Sequence, residues 1–138
     1  MSAEIISQSQ NDFLQSLDLA RKNDVCVADW HQDSLVHATV VYIIRESHTT
    51  VAFALLLKCP RDPFDFHSNP WYLSYIYVNE DRRKQGHAHM LLAKIIQDGY
   101  QLTAATENNQ SWNLFTKLKW ICREAHIIGK KGVFQSPL

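Results

Sequence analysis

The chain has 138 residues, 46% of them apolar and 20% charged, and its 14 basic side chains balance its 14 acidic ones. That length can bury a substantial core in a single domain spanning residues 1–138, and the neutral balance excludes a global electrostatic pull toward nucleic acid or an anionic membrane. No apolar run approaches the ~20 residues that span a bilayer, MSAEIISQSQ lacks a signal peptide's hydrophobic stretch, and Cys26, Cys59 and Cys122 are scattered without CxxC spacing. These features predict a cytoplasmic protein with reduced thiols, no disulfide framework and no metal site.

A short first strand is expected near Ile5. Asp12 has the chemistry of an N-cap for a helix that places Phe13, Leu14, Leu17 and Ala20 on one face and ends near Asn23. A helical turn is expected at 29–35. Residues 37–45 and 50–58 are rich in Val, Ile and Phe on either side of the polar 46–49 segment, which predicts a hairpin. A loop with Pro60, Pro63 and Pro70 leads to a strand at 71–78. A helix follows with Ala88, Leu91, Leu92, Ile95 and Ile96 on one stripe, then a short strand at 102–106 and a second helix carrying Ser111, Trp112, Phe115 and Leu118. Residues 121–128 and 133–135 flank Gly129-Lys130-Lys131-Gly132 and read as a final hairpin.

The most informative stretch is VNEDRRKQGHAHMLL, from Val78 to Leu92. A strand runs into a cationic turn with one glycine, and an amphipathic helix springs from that turn. The first N–H groups of a helix are unpaired and sit at the positive end of its dipole, so the junction suits a phosphate. Arg82, Arg83 and Lys84 add formal charge there, and Gly86 lets the backbone approach a ligand closely. A basic turn of this kind is otherwise only a solvated surface.

Arg83-Lys84-Gln85-Gly86-His87-Ala88 fits the pattern Arg/Gln-x-x-Gly-x-Gly/Ala and resembles the acyl-CoA-binding segment of the GCN5-related N-acetyltransferases (GNAT). The segment from Glu107 to Trp120 is similar to that family's other signature, Asn-x-x-Ala-x-x-x-Tyr-x-Lys-x-Gly-Phe. Asn108 falls on its asparagine, Ser111 on its small residue, Phe115 on its tyrosine, Lys117 on its lysine and Trp120 on its terminal aromatic. The resemblance implies an α/β fold with a mixed, mostly antiparallel sheet flanked by helices. That sheet is splayed between the strand ending at Val78 and the strand at 102–106. It implies acetyl transfer from acetyl-CoA to an amine by direct attack, with coenzyme A as product and a small molecule or a peptide as acceptor. The cofactor would be held by the strand end Ile76, Tyr77 and Val78, by the turn Arg83, Lys84, Gln85, Gly86, His87 and Ala88, and by Asn108, Ser111 and Phe115 of the second signature. The protein would be a monomer or a homodimer.

Four departures bear on the chemistry. The tyrosine that many members use as general acid is Phe115, which cannot donate a proton. The positions that commonly carry a basic carboxylate are Pro70 and Thr103. The glycine before the final aromatic is Lys119, and the flexible glycine after the first arginine is Lys84. Substitute groups are His67 or Tyr75, a water held by Tyr72, Ser74 or Tyr75, and Tyr100 as acid; each is equally an ordinary loop or core residue. Loss of the usual acid and bases also fits an inactive relative that binds acyl-CoA as a structural ligand or sensor and acts through a protein partner. An interaction protein with little affinity for CoA leaves the two signatures in register without a reason. For the acceptor, Trp30, Trp71 and Tyr72 would line a pocket for a small amine. Asp62, Asp65 and Glu46 would attract a cationic one, or merely solvate the surface.

Overall fold

The computed structural model describes residues 4–8, 40–46, 49–106, 108–126 and 131–138. The first helix and the helical turn expected from the sequence, Trp30, Cys26 and the tip of the last hairpin lie outside these residues. Among the described residues seven strands form one sheet: β1 (Glu4–Gln8), β2 (Val40–Glu46), β3 (Thr49–Lys58), β4 (Pro70–Val78), β5 (Gln101–Thr106), β6 (Ile121–His126) and β7 (Lys131–Gln135). Their spatial order is β1-β2-β3-β4-β5-β7-β6, and every pairing is antiparallel except the parallel β4–β5 pair. A 3-10 turn (Glu80–Arg82) and helix α1 (His87–Gln97) connect those two parallel strands, and α2 (Asn109–Lys117) connects β5 to β6. Lys131 and Gly132 belong to β7 and not to the turn in which the sequence suggested them.

The central strands are continuous runs of apolar residues because both of their faces are buried. One face of the sheet carries Tyr42, Ala52, Ala54, Leu56, Leu73, Leu102, Ala104 and Phe134, packed with Leu91, Leu92 and Ile95 of α1 and Phe115 of α2. The small Ala52 and Ala54 leave room for the helical side chains. The other face carries Ile43, Phe53, Leu55, Tyr75 and Tyr77, with Phe53 stacked on Tyr77 at 5.7 Å and on Tyr75 at 6.2 Å between centroids. No helix among the described residues is long and apolar enough to cross a membrane.

Both helices end in the same six-to-one and five-to-two bonded motif, whose residue after the C-cap takes a left-handed conformation. In α1, Gly99 (φ +99°) takes it, with Tyr100 N–H bonded to the Ile95 carbonyl and Gly99 N–H to that of Ile96. In α2, Lys119 (φ +62°) takes it, with Trp120 N–H bonded to the Phe115 carbonyl at 3.1 Å and Lys119 N–H to that of Thr116 at 3.0 Å. Trp120 then packs on Phe115, their centroids 4.8 Å apart.

The loop between β3 and β4 is organised by Asp62, which is only 3% exposed. Its carboxylate accepts from the backbone N–H groups of Phe64, Phe66 and His67 and from the side-chain amide of Gln135, all within 2.7–2.9 Å. Burial alone would raise its pKa; the four donors outweigh it and hold the group at about 2. Gln135 also accepts from Arg123, whose guanidinium lies 4.6 Å from the Phe66 ring, so the loop is stapled to β6 and β7.

Two outcomes are expected. Because the folded pKa of Asp62 lies below the ordinary 3.8, its contribution is complete above about pH 4 and is lost as pH falls toward 2. Asp62→Asn, which turns one acceptor into a donor facing backbone N–H groups, is expected to cost about 2 kcal/mol at neutral pH and to flatten that acid limb. Urea titrations between pH 2 and 7 measure both effects. Lys119→Gly, which relieves a left-handed non-glycine residue, should raise stability by roughly 0.5–1 kcal/mol in the same assay, the gain reduced by the freer unfolded chain.

Candidate functional site

β4 and β5 are paired only through Pro70–Gln101, Trp71–Leu102 and Tyr72–Thr103. Beyond Tyr72 they part: β4 continues along β3 to the Ala52–Val78 pair, while β5 continues along β7 to the Thr106–Gly132 pair. The fork opens toward the C-terminal end of both strands. On β4 the register against β3 slips between Leu55 and Leu56, so Ser74 is an extra residue that bulges at the base of the fork. Residues two apart on a strand present their N–H and C=O groups to the same edge. The Val78 carbonyl faces away from β3, since it accepts from the Arg83 side chain, and Asn79 N–H is the next group to bond back to β3, at the Val51 carbonyl. Ile76 and Val78 therefore offer backbone donors and acceptors to the open arm with no strand opposite them. An extended ligand with amide groups fits such an edge as an added strand would.

At the tip of that arm lies the cationic turn. Gly86 is the N-cap of α1 in a left-handed conformation (φ +85°, ψ +10°), and no side chain caps the helix. The first-turn N–H groups of α1 are thus left for a ligand, beside the positive end of the dipole. A Cβ at Gly86 would meet no protein atom within 4 Å, so the requirement for glycine there is conformational. Lys84 is also left-handed (φ +64°), and with Gln85 it is exposed.

Arg82 and Arg83 bond back onto the protein, and His87 is buried. Glu46, at the end of β2, accepts from Arg82 Nε at 3.0 Å and lies 3.4 Å from His87 Nε2. His87 is 93% buried, so what it presents to the turn is its backbone N–H. Arg82 also meets Asp81 at 3.1 Å. Arg83 folds back over the strand, with Nε 3.0 Å from the Val78 carbonyl and its guanidinium carbon 5.4 Å from the centre of the Tyr77 ring. Ala88 is half-buried under the first turn.

The second signature places its residues at the start and in the core-facing stripe of α2. Asn108 is the N-cap, its side-chain oxygen accepting from Ser111 N–H at 2.8 Å and from the Ser111 hydroxyl at 3.0 Å. Phe115 is 2% exposed and stacked on Phe134 at 5.8 Å, so the general-acid position of the signature is filled by a core side chain.

His67 lies at the closed end of the fork. Its Nε2 is 2.9 Å from the Ser136 carbonyl, and Ser136 bonds through N–H and hydroxyl to Leu102 at the start of β5. Nε2 is the donor to that carbonyl, which leaves Nδ1, buried and without a partner among the described residues, as the acceptor nitrogen of the neutral ring. Ile76 is roughly 20 Å further along β4 than Pro70 at strand rise, so His67 and the open arm are well separated. Tyr100 packs edge-on against Trp71 and Tyr42 on the helical face, where β4 and β5 are still paired. Tyr75 stands on the opposite face beside the bulge, half-buried against Phe53 and Tyr77.

The acceptor features read from the sequence are rearranged. Trp71 and Tyr72 are consecutive strand residues and point to opposite faces, so they line no common pocket. Asp62 is saturated by internal donors and Glu46 is taken up by Arg82 and His87, so neither is a free acid for a cationic acceptor. Asp65 remains exposed. The Ser74 bulge and the Glu46 contacts were not anticipated. The first depends on pairing with β3, and the second joins residues far apart in the chain.

The profile of the Acetyltransferase (GNAT) family matches residues 4–120. Among curated proteins none matches this sequence. An N-acetyltransferase from Staphylococcus aureus Mu50 superposes with a TM-score of 0.63 at 19% identity, covering 98% of each chain. The aminoglycoside N-acetyltransferase AAC(6')-Iy, solved in complex with CoA, gives 0.66 at 20% identity over 91% of this chain and 96% of its own. PaiA N-acetyltransferase from Thermoplasma acidophilum, solved in complex with coenzyme A, gives 0.68 at 14% identity over the whole of both chains. At these identities the structural likeness is one of fold. With the sheet forked after Tyr72, both signatures at its open end and the family profile spanning most of the sequence, the chain belongs to the GNAT family of acetyltransferases.

Proposed function

We propose that the protein is an acetyl-CoA-dependent N-acetyltransferase that joins an acetyl group to an amine, on a small molecule or a peptide, by direct attack in a ternary complex. It would work as a single cytoplasmic domain, monomeric or homodimeric. The observation that carries this reading is the juxtaposition of the β4 edge at Ile76 and Val78, which no described strand pairs, with the first turn of α1 at Gly86, which no side chain caps. One end suits the amides of a pantetheine arm and the other suits a diphosphate, which is the chemistry of CoA read along its length.

Acetyl-CoA supplies the acyl group in activated form, as a thioester. Arg83, Lys84, Gln85 and the N–H groups of Gly86, His87 and Ala88 would hold its phosphates. The edge formed by Ile76, Tyr77 and Val78 would align the arm and direct an N–H at the thioester oxygen, where negative charge develops. Asn108 and Ser111 cap α2 and fix the wall opposite. Holding amine and thioester together supplies a large share of the rate on its own. The amine must lose a proton to attack; Tyr75, or a water held by Tyr72, Ser74 or Tyr75 at the bulge, lies nearer to that event than His67 does. The acetyl-transferring neighbours solved with CoA favour the same ligand.

A second reading is favoured by one observation. The acid position is Phe115, buried in the aromatic core with Phe134 and Trp120, where no proton donor can stand. A catalytically silent relative that binds acyl-CoA as a structural ligand or sensor would need nothing else there.

Isothermal titration of acetyl-CoA and CoA, followed by an acceptor screen with detection of free thiol, separates the readings. Binding with turnover supports the enzyme, binding without turnover on any amine supports the silent relative, and no binding ends both. Gly86→Ala is expected to weaken acetyl-CoA by about tenfold or more, because a left-handed alanine costs ~1 kcal/mol and its methyl stands where the ligand approaches. An unchanged affinity would remove the turn from the site. His67→Ala should lower the melting temperature but leave the pH dependence of kcat/KM as it is. Loss of a limb near neutral pH would make His67 the base.

A further inference from the structure

We propose that Arg123 binds a carboxylate of the acceptor, so that the favoured substrate is an amine with a carboxylate at its far end. The inference rests on the N-acetyltransferase reading above and goes beyond it in naming the class of acceptor.

The turn that suits a diphosphate opens into α1, and α1 and α2 pack on one face of the sheet. A cofactor held by that turn and laid along the β4 edge enters from the helical face, which leaves the opposite face for the amine. Side chains alternate along a strand. With Leu73, Leu102 and Ala104 in the helical core, the opposite face receives Tyr72, Thr103 and Ala105, joined by Tyr75 beyond the bulge. Ala105 is exposed there and the other three are half-buried. The Tyr72–Thr103 pair is the last rung before the strands part.

Arg123 is held beside this rung by a chain of oriented groups. Gln135 is fully buried, and its side-chain amide nitrogen donates to Asp62 at 2.8 Å and to the Thr103 hydroxyl at 3.1 Å. With both donors committed, the amide oxygen faces the other way and accepts from Arg123 Nε at 2.7 Å. The central carbon of the guanidinium lies 4.6 Å from the centre of the Phe66 ring and 5.8 Å from that of Phe64. The side chain is half-buried, and its remaining N–H groups have no partner among the described residues. Asp65 and Glu124, the exposed acids beside it in the chain, form no ion pair with it, and Asp62 is satisfied by its own four donors.

A guanidinium is a planar fork of donors that meets a carboxylate with two parallel bonds, and it keeps its charge at any working pH. Neighbouring strands are ~4.8 Å apart, so a guanidinium beside β7 lies roughly 7–10 Å from the fork between β4 and β5. An acceptor that reaches both places its carboxylate at that distance from its amine. An extended ω-amino acid such as 6-aminohexanoate has this reach, whereas the amine and carboxylate of an α-amino acid share one carbon and fall short of it.

Acetylation of 6-aminohexanoate and of 6-aminohexanamide, which differ only in the charge of the far group, tests this in the wild type and in Arg123→Gln. The wild type should prefer the carboxylate by about tenfold or more in kcat/KM, carried by KM, and Arg123→Gln should bring the ratio close to one. Equal values for the two amines in the wild type, or the same ratio in the variant, overturn the proposal. A residue that only staples the loop would lower both rates together and leave their ratio as it was. The wild-type ratio decides the matter even if Arg123→Gln fails to fold. Isothermal titration of 6-aminohexanoate into the protein saturated with CoA repeats the comparison without turnover. Binding about tenfold or more tighter in the wild type than in Arg123→Gln supports the carboxylate site, and equal or undetectable binding overturns it. That difference in binding without acetylation of either amine would end the enzyme reading and leave the carboxylate site standing.

Discussion

A parallel pair of strands that is zipped for three residues and then parts is the constraint on which the rest of the site depends. Each arm of the fork keeps its outer partner, β3 for β4 and β7 for β5, so the pair opens without leaving either strand unsupported. The directions of the arms are set by the core: α1 packs its Leu91, Leu92 and Ile95 across the middle strands, and α2 places Phe115 against Phe134 of β7. The closed end is stapled by Asp62, Gln135, His67 and Ser136 through short buried hydrogen bonds. Short buried hydrogen bonds thus gather where the strands meet, and the two strands turn unpaired edges toward each other where they diverge.

Two carboxylates, Glu46 and Asp81, meet the cations of the open end. Three consecutive cations follow the strand, yet Glu46 takes up Arg82 and faces the ring of His87, fixing the turn from both sides. Arg83 and Lys84 are both exposed, but the Arg83 guanidinium is docked on the Val78 carbonyl, so the two positive charges of the turn are not equivalent.

The strands, the two helices of the described residues and the glycine turn between β4 and α1 were legible in the sequence because each rests on local rules. These are apolar periodicity and a glycine at a strand-to-helix junction; Asn108 was marked only by resemblance, and its role as the cap of α2 came from the structure. The fork itself followed only from resemblance, since nothing local in β5 reports that it leaves β4 after Thr103. Contacts between distant segments were not legible: the carboxylates of Asp62 and Glu46 read as surface acids, and only the fold turns them into internal acceptors. Trp71 and Tyr72 are a different case, because strand alternation alone separates them and a common pocket was never open to them. The histidine at 67 shows the limit of arguing from residue type: its chemistry suits a base, while its hydrogen bond to Ser136 and its place at the closed end give it a structural task.

The two lysines that stand where the family pattern has glycine separate strain that is used from strain that is not. Lys84 and Lys119 have nearly the same backbone, φ +64° and +62°, and each gives up on the order of 1 kcal/mol relative to glycine. At Lys119 the conformation is imposed by the two bonds that close α2, and the ammonium has no partner among the described residues, so the lysine brings no compensating interaction. At Lys84 the same strain puts a positive charge beside the uncapped first turn of α1, where a bound anion would repay it by lowering the free energy of the folded, liganded state alone. A side chain at 84 also narrows the conformations open to the turn when empty, which a glycine would not do. The departure from glycine at 84 is therefore consistent with a turn shaped for its anion before the anion arrives, whereas the one at 119 only weakens the end of a helix.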